Sequence, residues 1–229
     1  MFTVIASLFR NVSKMNIEQF GIDFSYRNLF LPPESDDFFD RLQTFLSNSN
    51  DNLLSVEQFS TDIYENNLLR VLPCLKPGTL QKLTIKTYRV VEFNFDELQQ
   101  LPQWQQAVCI KITAELRFVN YDFLSDFKFV ALCCEQPSLD QLKSFITRAE
   151  ERGDEFEHLH ITGQNDEIQQ YIETNFWSRP DNQGYHYMRH PTLNFCLRFS
   201  VGPNGSFLQI RRVSSTTYQP TDPRFPDLR

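Results

Sequence analysis

The sequence predicts an α/β fold in which short strands alternate with helices, with a mainly parallel sheet and a C-terminal antiparallel hairpin. Three observations predict it. Apolar cores of one spacing recur at Ile17-x-x-Phe20-x-Ile22, Val56-x-x-Phe59, Leu80-x-x-Leu83-x-Ile85, Ala107-x-x-Ile110-x-Ile112 and Phe156-x-x-Leu159-x-Ile161. Stretches with apolar residues at helical spacing separate most of them. Near the C-terminus the helical spacing stops, and β-rich runs flank Gly202-Pro203-Asn204-Gly205. Strand–helix units recurring every ~20 to 40 residues mark solenoids. The chain therefore reads as an irregular leucine-rich-repeat-like strand-helix solenoid. A doubly wound sheet is the alternative, but its Gly-rich first turn is missing.

The elements follow in order. Met1 to Phe9 is apolar but lacks a basic leader and a small-residue cleavage site, so it reads as a first helix or strand. Asp36 to Leu46 places Phe38, Phe39, Leu42, Phe45 and Leu46 on one helical face, capped by Ser35 or Asp36. Leu72 and Leu75 end an apolar helical turn that Pro77-Gly78 forbids from continuing. Phe95 to Val108 is helical, with Leu98, Leu101, Trp104 and Val108 on one face and a break at Pro102. A strand is expected through Phe127, Phe129 and Ala131. Ser138 to Arg152 is a helix with a Ser138/Gln141 capping box and Gly153 as its terminator. Asp166 to Phe176 repeats the pattern with Ile168, Tyr171 and Ile172. Strands then run through Tyr185–Tyr187, Asn194–Phe199 and Phe207–Val213. One domain over 1–213 and a disordered tail over 214–229 result, since the last stretch is rich in Pro, Ser and Thr without periodicity. Phe20, Phe59, Leu83, Ile110 and Leu159 are expected to be buried at equivalent positions of successive strands.

Composition excludes several function classes. A mean hydropathy of -0.41 and the lack of a long apolar run exclude a transmembrane helix, and no membrane partner is expected. The net charge of -7 and pI near 5.1 argue against nucleic acid as the main ligand, and no DNA partner is expected. The five cysteines, at 74, 109, 133, 134 and 196, show neither metal nor disulfide spacing. They suit a reduced intracellular protein, cytoplasmic or nuclear. No phosphate-cradling glycine loop is present.

Two strings carry a resemblance to a known family. LPCLKPGTLQKLTI (Leu72 to Ile85) and LPQWQQAVCIKI (Leu101 to Ile112) resemble the FTH homology domain, found beside F-boxes in a large family of nematode proteins. VEQFSTDIY ahead of them and the run from HPTLNFCLRFSV to FLQIRRV resemble further parts of that domain, so the likeness covers nearly the whole chain. The resemblance implies a protein-protein interaction module that recruits substrates to an SCF-type ubiquitin ligase. Residues 1 to 16 are too short for an F-box of ~40 residues. The Skp adaptor is therefore not expected to bind this chain.

The chain's potentially reactive clusters have plain structural readings. His158-x-His160 points both rings to one face of a strand, but no third ligand is placed, so a surface pair is expected and no metal. Cys133-Cys134 side chains point apart on a strand, and nothing in the sequence supports a nucleophile–base pairing with His158 or His186. Glu150, Glu151, Asp154 and Glu155 read as solvated charge, and Trp104 as core. No enzyme and no cofactor are expected.

The binding face follows from alternation. If Leu83, Ile85, Ile110, Ile112, Leu159 and Ile161 point inward, then Lys82, Thr84, Lys86, Lys111, Thr113, His158 and His160 point to the opposite sheet face. Lys128 joins them if Phe127 and Phe129 point inward. This basic, hydrogen-bonding stripe suits an acidic or phosphorylated segment of another protein. The alternatives are a solvated surface, an RNA or other polyanion-binding domain acting through the same face, and a degenerate non-functional fragment.

Overall fold

The computed structural model describes residues 16–22, 40–41, 43–44, 53–61, 65–86, 90–91, 95–117, 119–163, 165–178, 185–189, 195–202 and 206–214. By its contacts the chain divides into two compact units, Met1–Glu115 and Leu116–Arg229. No described helix is long and apolar enough to cross a membrane.

The first unit contains strands β1 (Asn16–Ile22), β2 (Ser55–Thr61), β3 (Lys82–Ile85), β4 (Val90–Val91) and β5 (Cys109–Leu116), whose last residue falls across the division. Its helices are α1 (Glu65–Val71), α2 (Phe95–Leu98) and α3 (Pro102–Gln105). β1, β2, β3 and β5 run parallel in that order, and β4 pairs with β5. Phe20, Phe59, Leu83 and Ile110 stand directly opposite one another across the four strands, as the repeated spacing predicts. Phe59, Leu83 and Ile110 are buried; Phe20 is half-buried and stacks on Phe59 with ring centroids 5.6 Å apart.

The second unit contains β6 (Phe129–Cys134), β7 (His158–Thr162), β8 (Trp177–Ser178), β9 (Tyr185–Arg189), β10 (Phe195–Val201) and β11 (Phe207–Ser214). Its helices are α4 (Leu139–Arg152) and α5 (Asp166–Asn175). The strand order is β6-β7-β11-β10-β9-β8. Only β6 and β7 are parallel; the remaining pairs are antiparallel. The C-terminal hairpin of β10 and β11 is thus present, extended by β9 and by the short strand β8, which no sequence signal marked. Helices pack on the side of Val130, Leu132, Leu159, Ile161, Phe199 and Ile210: Phe156 and Phe145 meet edge-on, and Phe176 after α5 stacks on Phe199 at 4.3 Å.

The local signals act as their chemistry demands. Ser138 Oγ accepts from the Gln141 amide, and Gly153 closes α4 with a positive φ of 59°. Pro102 splits the predicted helix over 95–108 and starts α3, in the first turn where a missing N–H breaks no intrahelical bond. The four described residues within 36–46, namely 40, 41, 43 and 44, are helical. The rest of that segment, Met1 to Phe9 and the tail beyond Ser214 lie outside the described residues.

One physical device explains the repeated spacing. In four cores the first apolar residue sits in the turn before the strand, two residues cross over, and the next apolar residue opens the buried row; Ile17 and Val56 already lie within β1 and β2. Leu80, Ala107, Phe127 and Phe156 are all buried turn residues of this kind. The crossing residues stack by main-chain bonds: Gln81 N donates to Glu57 O, Val108 N and Cys109 N donate to Gln81 O, and Glu157 N and His158 N donate to Lys128 O. This corrects the expected register of β6. Strict alternation from Phe127 would bury Phe129 and Ala131, but the structure buries Val130, Leu132 and Cys134. Phe127-x-x-Val130-x-Leu132 is one more copy of the same core. Lys128 is accordingly a crossing residue, equivalent to Gln81 and Glu157, and is not a strand residue of the outward face.

The two strings singled out in the sequence meet in the first unit. Leu72–Cys74 forms a 3-10 turn, and Leu75 bridges to Leu54. Gly78 then takes φ 78°, and Thr79 Oγ donates to Lys76 O at 2.8 Å, closing the Lys-Pro-Gly-Thr turn. Gln103 is buried, and its side-chain amide donates to Leu75 O at 2.7 Å. Trp104 packs on Phe95 with centroids 5.7 Å apart. The Leu-Pro-Gln-Trp string therefore holds the Leu-Pro-Cys-Leu string in place.

Candidate functional site

The eight residues expected on the binding face fall into the two units, and each group has its own chemistry. In the first unit one row across the strands reads Gln19, Gln58, Lys82 and Cys109, and the next reads Gly21, Ser60, Thr84 and Lys111. All lie opposite the buried row of Leu83 and Ile110. Lys111, Lys86 and Thr113 are exposed; Lys82 and Thr84 are half-buried. None of the three lysines forms an ion pair with a described residue. Gln19 donates to the Gln58 side chain at 3.3 Å, and Thr113 Oγ donates to Ile85 O at 3.4 Å. Burial pushes the Cys109 thiol up, against the opposing pull of Lys82 and Lys111 on either side. The result is a polar, cationic sheet face without carboxylate partners among the described residues.

In the second unit Lys128 Nζ lies 2.7 Å from the Glu157 carboxylate, so its charge is already answered. His158 and His160 do face outward together, with rings 6.4 Å apart. His160 is tied down: it bonds Gln209 at 2.9 Å and Thr162 at 3.1 Å and stacks on Phe207. Among the described residues no group of three His, Cys, Asp or Glu is arranged to hold a metal ion.

Residues the sequence reading did not single out complete this face. One row across the strands reads Trp177, Tyr187, Arg198, Arg211, His158 and Phe129. Arg198 and Arg211 are direct cross-strand partners, and the Arg198 guanidinium lies 4.6 Å from the centre of the Tyr185 ring. A sequence signal existed. Between Asp181 and Asp222 the chain has no carboxylate, yet it carries Arg189, Arg198, Arg211 and Arg212.

This environment keeps His158 neutral. Burial, then Arg211, His160 and Arg198, lower its pKa to about 4 from an ordinary value of 6.5. The nearest acidic neighbour in sequence, Glu157, is engaged by Lys128. The unfolded chain therefore takes up a proton near pH 6.5 that the folded chain refuses until about pH 4. Stability is fully present above pH 6.5 and declines as the pH falls through that window. After allowing for solvent screening of this half-exposed group, the loss is expected to be about 1–2 kcal/mol. Urea midpoints at pH 7 and pH 4.5 check this, and His158→Gln should flatten the dependence by that amount.

Comparison with known proteins decides the family. A family model described as the FTH domain matches residues 36–177, more than half of the chain. The chain belongs to the FTH domain family. The matched stretch runs from ahead of β2 to the start of β8 and contains both strings that Gln103 joins. No curated protein and no solved structure matches this FTH domain protein.

Proposed function

We propose that this FTH domain is a non-enzymatic protein-protein interaction module, resembling the substrate-recruiting part of F-box proteins in SCF-type ubiquitin ligases. In this reading its repeated strand cores make a leucine-rich-repeat-like surface, and the partner docks on the outward sheet face of the first unit. The observation that carries it is the unpaired lysine face of β3 and β5. Lys82 and Lys111 stand over a fully buried apolar row, on parallel strands, with no described carboxylate to neutralise them. A fixed cationic surface of this kind gives orientation and association rate to an acidic or phosphorylated protein segment.

The test is proximity labelling with the whole chain as bait, followed by direct binding of the proteins recovered. Lys82→Glu with Lys111→Glu is expected to abolish capture at moderate salt while changing stability by less than about 0.5 kcal/mol, since both residues lie outside the core. Capture that persists in the double variant would mean the stripe is only a solvated surface. A salt-dependent shift with homopolymeric RNA, absent for any protein partner, would favour a polyanion-binding role instead.

A further inference from the structure

The second unit carries a charge arrangement that none of its described residues balances. Arg198 and Arg211 are opposed on neighbouring antiparallel strands, where like charges repel at close range. His158 follows Arg211 in the same row. Neither arginine forms an ion pair with a described residue. The Tyr185 ring supports one side of the Arg198 guanidinium, and Arg211 is exposed to solvent. Nε2 of His158 is shielded from solvent and has no hydrogen-bond partner. Half-buried Tyr187 and Phe129 lie at the two sides of this cationic centre.

From this geometry we infer that the outward face of β7, β10 and β11 binds a phosphorylated residue of a partner protein, its phosphomonoester held between Arg198 and Arg211. The inference rests on the reading of the domain as a protein-binding module, but it uses a different face. A phosphomonoester carries between one and a half and two negative charges with three acceptor oxygens, roughly what two guanidinium forks can satisfy. Arginine in place of lysine fits that bidentate demand. A nucleic acid strand presents single charges along a track and calls for cations spread along its length. Here the arginines are concentrated at one register level of two strands, on a chain of net charge -7.

The experiment uses the full chain and three degenerate peptide libraries centred on phosphoserine, phosphothreonine or phosphotyrosine, each with its unphosphorylated counterpart and a glutamate-centred version. Retention of at least one phosphorylated library, at least tenfold above its unphosphorylated and glutamate counterparts, is expected, with inorganic phosphate as competitor. Arg198→Gln with Arg211→Gln should remove the preference, and so should Arg198→Lys with Arg211→Lys, which keeps charge but loses the fork. Arg212→Gln, displaced by one residue onto the other side of β11, should retain it. Equal retention of phosphorylated and unphosphorylated libraries by the unaltered chain overturns the inference without any variant. Tighter binding to single-stranded poly(U) than to every phosphopeptide library overturns it in favour of RNA. A partner captured through Lys82 and Lys111 but indifferent to phosphate and to both arginine variants would leave the module reading standing and this inference refuted.

Discussion

Gly163→Ala is expected to cost on the order of 3 kcal/mol or more. Gly163 directly follows β7 and has φ 155°. A Cβ there would lie 2.0 Å from the carbonyl oxygen of Cys134 and 3.1 Å from its carbonyl carbon. Both are backbone atoms at the end of β6, so no side-chain rotation relieves the overlap. Gly163 N also donates to Ser206 O at the start of β11, and moving it would strain that end of the β7–β11 pair. Equilibrium urea unfolding should show the midpoint falling sharply. Gly21→Ala is the control: its Cβ would meet nothing closer than Ser60 O at 3.7 Å, an ordinary contact. A cost for Gly163→Ala no larger than that of Gly21→Ala would refute the close approach of these strand ends.

Leu83→Ala is expected to cost about 2–5 kcal/mol, the range for emptying a fully buried leucine site. Leu83 has no exposed surface and is flanked by Phe59 and Ile110 in the buried row. Main chain on both neighbouring strands limits how far the cavity can collapse. One residue on, Thr84 faces the other way and is half-buried, so Thr84→Ala should change stability by less than about 0.5 kcal/mol. Parallel thermal melts of the two variants measure the alternation directly. A similar loss for both would mean the strand is not one-sided.

The fold was legible wherever an apolar spacing fixed which side of a strand faced the core. Leu83, Ile110 and Leu159 were placed correctly because each opens its row after the same two-residue crossing, and Phe59 because it keeps the same spacing from Val56 within β2. β6 was misread because Phe127 and Phe129 look like ordinary alternation. The crossing spacing through Val130 and Leu132 was present in the same letters, and aromatic side chains at both Phe127 and Phe129 concealed it. β4 and β8 are two residues each, too short for any periodicity to register. The basic face was half legible. Alternation found Lys82, Lys111, His158 and His160, but Lys128 inherited the error in β6. Arg198 and Arg211 were missed because their alignment is a pairing property of β10 and β11.

The Gln103 bond to Leu75 has a consequence for how the first unit opens and closes. α2 and α3 are four residues each, far below the length at which a helix sustains itself in water. They persist because Trp104 rests on Phe95 and because the Gln103 amide is anchored to a carbonyl 28 residues earlier. Neither helix is an independent folding unit. Loss of the 3-10 turn at Leu72–Cys74 would free the anchor, and both short helices would unwind with it. Residues 72–80 and 95–107 are therefore expected to open as a single cooperative segment, although β3 and β4 separate them in the chain.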